Sequence, residues 1–135
     1  MLSDNLYALR KRGKLTQEQV AAQIGVSRQT LSKWETGESV PDIGNCMTLA
    51  DFYDVSLDDL VRYCPGEENL PIPPRGKHFF GTVTIGPNGE LTIPWKAMEV
   101  IAVRPGEVLM LLGEEGNGLA LAKKESFLDR LQKSR

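Results

Sequence analysis

The fold is decided by residues 15–37, which have the sequence LTQEQVAAQIGVSRQTLSKWETG. Two hydroxyl residues, Thr16 and Ser27, each stand before a segment with the apolar spacing of a short helix. At a helix start such a hydroxyl accepts a backbone N–H that would otherwise lack a partner. Gly25 and Gly37 mark the two helix ends, because glycine adopts the left-handed C-cap conformation without steric cost. The stretch therefore predicts two short helices, at residues 17–24 and 28–36.

Only residues 25–27 separate these two helices, so the helices must cross at a steep angle. This arrangement is the tight turn of a helix-turn-helix. In the second helix Leu31 and Trp34 are three residues apart and predict its buried side. The opposite side carries polar side chains that suit base edges and phosphates. They are Arg28, Gln29, Ser32 and Lys33.

Three further helices are predicted around this pair. The first covers residues 3–12 and ends before Gly13. The fourth runs from about residue 42 to residue 53, and the fifth begins after the cap residue Ser56. Together these signals predict a five-helix bundle over residues 1–63.

Charge is distributed unevenly along the chain, whose formal net charge is −2. Residues 10–33 hold six basic side chains and one acidic side chain, whereas residues 38–68 hold eight acidic and one basic. A basic region attracts the phosphates of nucleic acid and an acidic region repels them. One side of the first domain is therefore predicted to face a polyanion, and ordinary solvated helix faces remain the alternative.

Two segments together resemble the phage-repressor, or XRE, family of helix-turn-helix domains over about residues 6–60. They are LRKRGKLTQEQVAAQIGVSRQTLSKWETGESVPD at residues 9–42 and LADFYDVSLDDL at residues 49–60. The resemblance implies that Gln17 binds phosphate and that residues 27–33 enter the major groove. It also implies that Arg10 and Glu35 pair, which would tie the first helix to the third. The predicted DNA-binding residues are Gln17, Ser27, Arg28, Gln29, Thr30, Ser32 and Lys33.

One position departs from the pattern of that family. Members frequently have a basic residue just after the glycine that ends the third helix, whereas this chain has Glu38. The departure predicts modest non-specific affinity for DNA. An alternative stays open as well, because some domains of this kind have lost DNA binding and serve only as scaffolds.

Residues 64–77, CPGEENLPIPPRGK, carry four prolines and two glycines and are predicted to form a linker.

From Phe79 onward the apolar pattern has a period of two, which is typical of strands. Strands are predicted at residues 79–85 and 90–93 around a turn at 86–89, followed by a short helix after Pro94 and a hairpin joining 108–112 to 119–122. The expected organisation is α+β in two small domains, residues 1–63 and 78–135, the second of them β-rich.

Residues 81–112 have the sequence GTVTIGPNGELTIPWKAMEVIAVRPGEVLMLL. Together with the residues as far as about 123, this segment resembles the AbrB-type swapped-hairpin family, which MazE-type antitoxins also share. The resemblance implies an intertwined dimer. Several members bind DNA through arginines in the first turn and after the proline, but these places hold Glu90, Lys96, Met98 and Glu99 here. Dimerisation is therefore the predicted role. The expected interface residues are Val83, Ile85, Leu91, Ile93, Val108, Met110 and Leu112.

The tail after Lys124 is predicted to form a last helix, capped by Ser126, with Phe127, Leu128 and Leu131 on one side. Its expected role is to cover an edge of the dimer core. An alternative function uses the same tail: the chain could be an antitoxin whose tail engages a toxin.

The predicted function is a homodimeric, sequence-specific transcription regulator that binds double-stranded DNA at inverted repeats in the cytoplasm. No phosphate loop, carboxylate pair or nucleophile with a neighbouring base is recognisable, so we do not expect an enzyme. Cys46, Cys64 and His78 lack the spacing of metal ligands, and no metal or cofactor is expected. The sequence has no apolar run long enough to span a membrane, so membrane insertion is not expected. The alternative of a small-molecule sensor stays open, although no dedicated ligand-binding domain is recognisable in the sequence.

Overall fold

The computed structural model describes the backbone of residues 2–133 and the side chains of residues 2–126, 128 and 129. The chain divides into two compact units, with the division between Phe79 and Phe80. We call residues up to 79 the helical unit and the residues from 80 onward the second unit. None of the helices within the described range has the length and hydrophobicity needed to cross a membrane.

The helical unit contains the five predicted helices. They are α1 (Leu2–Arg12), α2 (Gln17–Ile24), α3 (Arg28–Thr36), α4 (Ile43–Tyr53) and α5 (Leu57–Arg62). The predicted caps at Thr16, Ser27 and Ser56 are confirmed, because each side chain accepts the backbone N–H three residues later. Thr16 also forms the full capping box with Gln19. Local side-chain chemistry therefore fixes where α2, α3 and α5 begin.

A single apolar core holds the five helices together. Leu31 and Trp34 face inward, as predicted, and are 1% and 5% exposed. The largest fully buried side chains come from α1, α2, α3, α4, α5 and the turn before α5. They are Leu6, Val20, Leu31, Leu49, Val55 and Leu60.

The proline-rich stretch at residues 64–77 lies against the helices over part of its length. Ile72 is 4% exposed and belongs to the core of the helical unit. Arg75 donates from its backbone N–H to the carbonyl oxygen of Asp54 at 2.8 Å. The stretch predicted as a linker is thus attached to the helical unit by the buried side chain of Ile72 and by the hydrogen bond of Arg75, and the predicted domain limits stay a prediction.

The second unit contains α6 (Trp95–Ile101), β1 (Leu109–Glu114), β2 (Gly118–Lys123) and α7 (Lys124–Lys133). The strands pair antiparallel, with Leu109 opposite Lys123 and Glu114 opposite Gly118. This confirms the predicted short helix after Pro94 and the predicted hairpin, with strand limits shifted by one or two residues.

The predicted strands at residues 79–85 and 90–93 are wrong for the single chain, although the turn between them is present. Gly86 donates its N–H to the carbonyl oxygen of Glu90 at 2.7 Å, and Gly89 donates to Gly86 at 3.0 Å. A strand requires a hydrogen-bonded neighbour, and β1 and β2 pair only with each other among the described residues. The described part of the second unit therefore has one two-stranded sheet instead of a β-rich fold.

The tail helix also begins earlier than predicted. Helix α7 starts at Lys124, directly after β2, so Ser126 lies inside its first turn and is not the cap. Leu128 is 47% exposed. The predicted partners Phe127 and Leu131 lie outside the described side chains.

The second unit buries little apolar surface by itself. Ala97 is the one buried residue among its described side chains, and it is 9% exposed. Large apolar side chains such as Trp95 and Leu119 are 73% and 71% exposed. Of the predicted interface residues, Val83, Ile85, Leu91 and Val108 are exposed, whereas Ile93, Met110 and Leu112 are half-buried.

Asn5 connects the first and last helices of the helical unit. Its side-chain amide is buried and donates to the carbonyl oxygens of Leu60 and Tyr63, both at 3.0 Å. Leu60 lies in the last turn of α5 and Tyr63 is the C-cap residue, so these carbonyl groups have no partner within the helix. One polar side chain of α1 thus completes the hydrogen bonding of α5.

We predict that Asn5→Leu lowers the free energy of unfolding by about 1–3 kcal/mol, because buried carbonyl groups lose their donor. Urea unfolding measures the change. Gln23→Ala removes an exposed amide and should stay within about 0.5 kcal/mol of the original chain. Equal stability of the two variants would contradict the assigned role of Asn5.

Candidate nucleic-acid interface

The turn between α2 and α3 is built by two caps that lie two residues apart. Gly25 ends α2 with φ +78°, and its N–H donates to the carbonyl oxygen of Ala21 at 3.0 Å. Ser27 begins α3, and its Oγ accepts the N–H of Thr30 at 3.1 Å. The end of one helix and the start of the next therefore occupy residues 25–27, as the sequence predicts.

Helix α3 has one buried and one open side. Leu31 and Trp34 lie in the core, and Arg28, Gln29 and Lys33 lie exposed on the other side. The exposed side chains are a guanidinium, a carboxamide and an ammonium, which together donate to acceptors on base edges and to phosphate oxygens. This row is the candidate nucleic-acid interface.

Two of the three hydroxyl residues predicted for DNA contact, Ser27 and Thr30, are hydrogen-bonded to each other. Ser27 is exposed, but its Oγ serves as the cap and lies 2.8 Å from Oγ1 of the half-buried Thr30. Ser32 is also half-buried. Among the predicted residues of α3, the three long side chains are thus the most accessible.

Gln17 lies at the start of α2 and is half-buried. Its Nε2 donates to Oε1 of Glu35 at 3.2 Å. No sequence pattern indicates this bond, which orients the amide at the N-terminus of α2. An amide nitrogen carries two hydrogens, so one donor of Gln17 remains for another acceptor.

The pair predicted between Arg10 and Glu35 is confirmed. Nε of Arg10 lies 2.8 Å from Oε2 of Glu35, and its second terminal nitrogen donates to Oε1 at 2.9 Å. Both side chains are buried, with 9% and 3% of their surface exposed. The hydrogen bond to Glu35 raises the pKa of Arg10 above its ordinary value, so the guanidinium stays charged. This two-bond pair joins α1 to the last turn of α3.

Two of the six bases counted between residues 10 and 33 donate hydrogen bonds within the chain. Arg10 is neutralised by Glu35, and Arg12 donates from Nη1 to the carbonyl oxygen of Ile72 at 2.7 Å. No local pattern reveals the second contact, because its partner lies 60 residues away. The other four bases, Lys11, Lys14, Arg28 and Lys33, are exposed.

The cysteines contribute packing and surface to this unit. Cys46 is buried, and its thiol donates to the carbonyl oxygen of Pro41 at 3.6 Å. Burial raises the pKa of the Cys46 thiol, which disfavours the reactive thiolate. Within the described residues, no three His, Cys, Asp or Glu side chains lie close enough together to hold a metal ion.

We predict that Arg10→Met lowers the free energy of unfolding by about 3–5 kcal/mol, because the Glu35 carboxylate stays buried without its partner. Arg62→Met removes an exposed pair, in which Nε lies 3.4 Å from Asp58, and should cost at most about 1 kcal/mol. Urea unfolding compares both variants with the original chain.

Arg10→Lys keeps the charge but loses the two-bond geometry, so its stability should lie between that of Arg10→Met and the original chain. It also provides a folded variant if Arg10→Met does not fold. Similar losses for Arg10→Met and Arg62→Met would show that the buried pair has no special role.

Comparisons with known proteins place the helical unit among helix-turn-helix domains. Residues 6–60 match the family described as helix-turn-helix, HTH_3. The chain is 39% identical over 70 residues to the HTH-type transcriptional activator BcrR of Enterococcus faecalis, which covers 52% of this chain and 33% of BcrR. It is 34% identical over 76 residues to the cryptic phage CTXphi transcriptional repressor RstR of Vibrio cholerae, covering 56% of this chain and 68% of RstR.

A third relative matches along nearly its whole length. The uncharacterized HTH-type transcriptional regulator MJ0272 of Methanocaldococcus jannaschii is 34% identical over 62 residues, which are 46% of this chain and 94% of that protein. By contrast, the chain spans only a third of the length of BcrR. The matched region carries the caps, the core and the exposed row of α3 described above, and the chain belongs to the HTH_3 helix-turn-helix family.

Proposed function

We propose that this chain is a sequence-specific DNA-binding transcription regulator in which α3 enters the major groove. The observation that supports this function is the exposed row of Arg28, Gln29 and Lys33 on a helix whose other side is buried. Arginine contacts guanine with two hydrogen bonds and glutamine contacts adenine in the same way. The relatives BcrR and RstR are an activator and a repressor, so they support the class of function without its sign.

The contacts to the DNA backbone are assigned to Gln17 and to the exposed bases. Gln17 stands at the N-terminus of α2, where backbone N–H groups and the helix dipole favour a phosphate. The shorter side chains of Ser27, Thr30 and Ser32 add hydroxyl contacts to the DNA at the same surface. Glu38, just beyond α3, repels phosphates and keeps non-specific affinity low.

The second unit has the role of joining two copies. Its large apolar side chains are mostly exposed, and a two-stranded sheet alone is marginal in water. A second copy, paired as the AbrB-like resemblance implies, would bury the interface residues and give residues 79–85 and 90–93 a neighbouring strand. This interface comprises Val83, Ile85, Leu91, Ile93, Val108, Met110 and Leu112.

Dimerisation determines the form of the operator. A twofold dimer places two identical α3 helices on the DNA, so the operator is an inverted repeat. Half-sites on one face of the duplex are about 34–36 Å apart, or a multiple of that distance. Two weak half-site contacts then act together through effective concentration.

We predict that Arg28→Ala combined with Gln29→Ala lowers operator affinity at least about tenfold, because each two-bond base contact contributes about 1–3 kcal/mol. Selection from random DNA with the purified chain supplies the operator, and fluorescence anisotropy measures affinity. The matched control is Arg62→Ala combined with Gln23→Ala, which removes the same two chemical groups from other exposed positions.

The two double variants together test whether α3 is the recognition helix. The control should bind the operator as the original chain does, and both variants should retain the original urea midpoint. Unchanged operator affinity in the α3 variant would refute the assignment of α3 as the recognition helix.

We also predict that Ile85→Glu combined with Val108→Glu converts a dimer to a monomer, since buried charges at an apolar interface are costly. Sedimentation equilibrium measures the mass. Val40→Glu places the same charge at a 75% exposed residue of the helical unit and should leave the dimer intact. A monomeric original chain, or a dimeric double variant, would refute this interface.

A further inference from the structure

Residues 64–75 form a strap along the helical unit, and its centre is Ile72. This side chain is 4% exposed and packs in the core formed by the five helices. The carbonyl oxygen of Ile72 accepts Nη1 of Arg12 at 2.7 Å, so the strap is also bonded to the end of α1. A flexible tether would have neither contact.

Hydrogen bonds hold the strap on either side of Ile72. Upstream, the hydroxyl of Tyr63 donates to the carbonyl oxygen of Leu70 at 2.6 Å. Downstream, the guanidinium of Arg75 donates to Val55 O at 2.8 Å and to Asp51 Oδ1 at 2.9 Å. A cation suits this corner, because α4 ends here and exposes carbonyl groups at the negative end of its dipole.

The backbone at Arg75 completes the attachment. Its N–H donates to Asp54 O at 2.8 Å, and Asp54 is the left-handed C-cap residue of α4 with φ +53°. The second unit begins at Phe80. Four residues, 76–79, follow Arg75 before the second unit, and among them Lys77 donates its N–H to the carbonyl oxygen of Pro74 at 3.0 Å.

We infer that residues 64–75 belong to the DNA-binding part and that the short connection after Arg75 limits the allowed spacing between operator half-sites. This inference rests on the proposed function as a dimeric DNA-binding protein. Five Cα steps from Arg75 to Phe80 reach at most about 18 Å, whereas seventeen steps from Tyr63 would reach about 60 Å. The strap thus shortens the reach of each copy about threefold.

The reach sets a limit that can be compared with the DNA. Adding one helical turn of about 34–36 Å to the operator would need nearly full extension of both connections. Full extension removes most conformations of a connecting chain and is therefore unfavourable. Connections of 60 Å would span the longer operator without stretching.

One insertion placed at two positions tests the inference in the full chain. Twelve alternating Gly and Ser residues are inserted between Glu67 and Glu68, upstream of Ile72, or between Lys77 and His78, downstream of Arg75. Glu67 and Glu68 lie in an exposed turn that is closed by the bond from Asn69 N–H to Gly66 O at 3.0 Å. The upstream insertion enlarges a surface loop, and only the downstream insertion lengthens the connection.

Affinity is measured by anisotropy on the selected operator and on the same operator with ten base pairs added between its half-sites. The original chain and the upstream insertion should each bind the longer site at least tenfold more weakly. The downstream insertion should reduce this loss to less than threefold. Equal behaviour of the two insertions would overturn the inference, because a free linker does not distinguish their positions.

Hydrogen exchange of the Arg75 amide gives a readout that does not depend on DNA. The amide should be protected in the original chain and in both insertion variants, at the level of neighbouring core amides. Exchange at the rate of an unfolded peptide would overturn the strap, whatever the DNA results. If the original chain gains no affinity from a second half-site while Arg75 is protected, the proposed dimeric function fails and the strap stands.

Discussion

The orientation of α3 depends on the buried pair of Arg10 and Glu35. Two hydrogen bonds of 2.8 and 2.9 Å hold the guanidinium plane against the carboxylate, and the same carboxylate accepts Gln17. Three helices thus meet at one buried charge. A buried ion pair contributes little net stability compared with well-packed apolar groups, so its main effect is geometric. The exposed side of α3 is arranged by the interior of the helical unit before any partner is present.

Helix limits and caps in the helical unit were predictable because their causes lie within four residues of each other along the chain. Thr16 and Gln19 satisfy each other's backbone groups, and Gly25 adopts the left-handed conformation that ends α2. The contacts of Asn5 and Arg12 were not predictable. Their acceptors lie 55 to 60 residues away, and no spacing rule relates residues at that separation. Hydrogen bonds of this kind depend on the packed core, which brings distant parts of the chain together.

The candidate site and the second unit show the same division between local and distant causes. Helical periodicity placed Arg28 and Lys33 on the open side of α3, because the core side is fixed by Leu31 and Trp34 three residues apart. The hairpin of β1 and β2 was predicted because its strands are sequence neighbours. An alternating pattern at residues 79–85 describes only the two faces of an extended segment. Whether that segment becomes a strand depends on a hydrogen-bonding neighbour, which the pattern does not supply.

The strap shows that one proline-rich composition is compatible both with a linker and with a segment attached to the helical unit. Proline lacks an N–H and fixes φ, and it drives the residue before it into extended backbone, so Pro71 and Pro73 keep the chain around Ile72 extended. The same stiffness suits a semi-rigid linker, which is why composition alone predicts one. It also lowers the entropy lost when an extended segment is laid on a surface, because fewer unbound conformations exist. A single apolar side chain between two prolines, with a core to enter, therefore changes a linker into part of the helical unit.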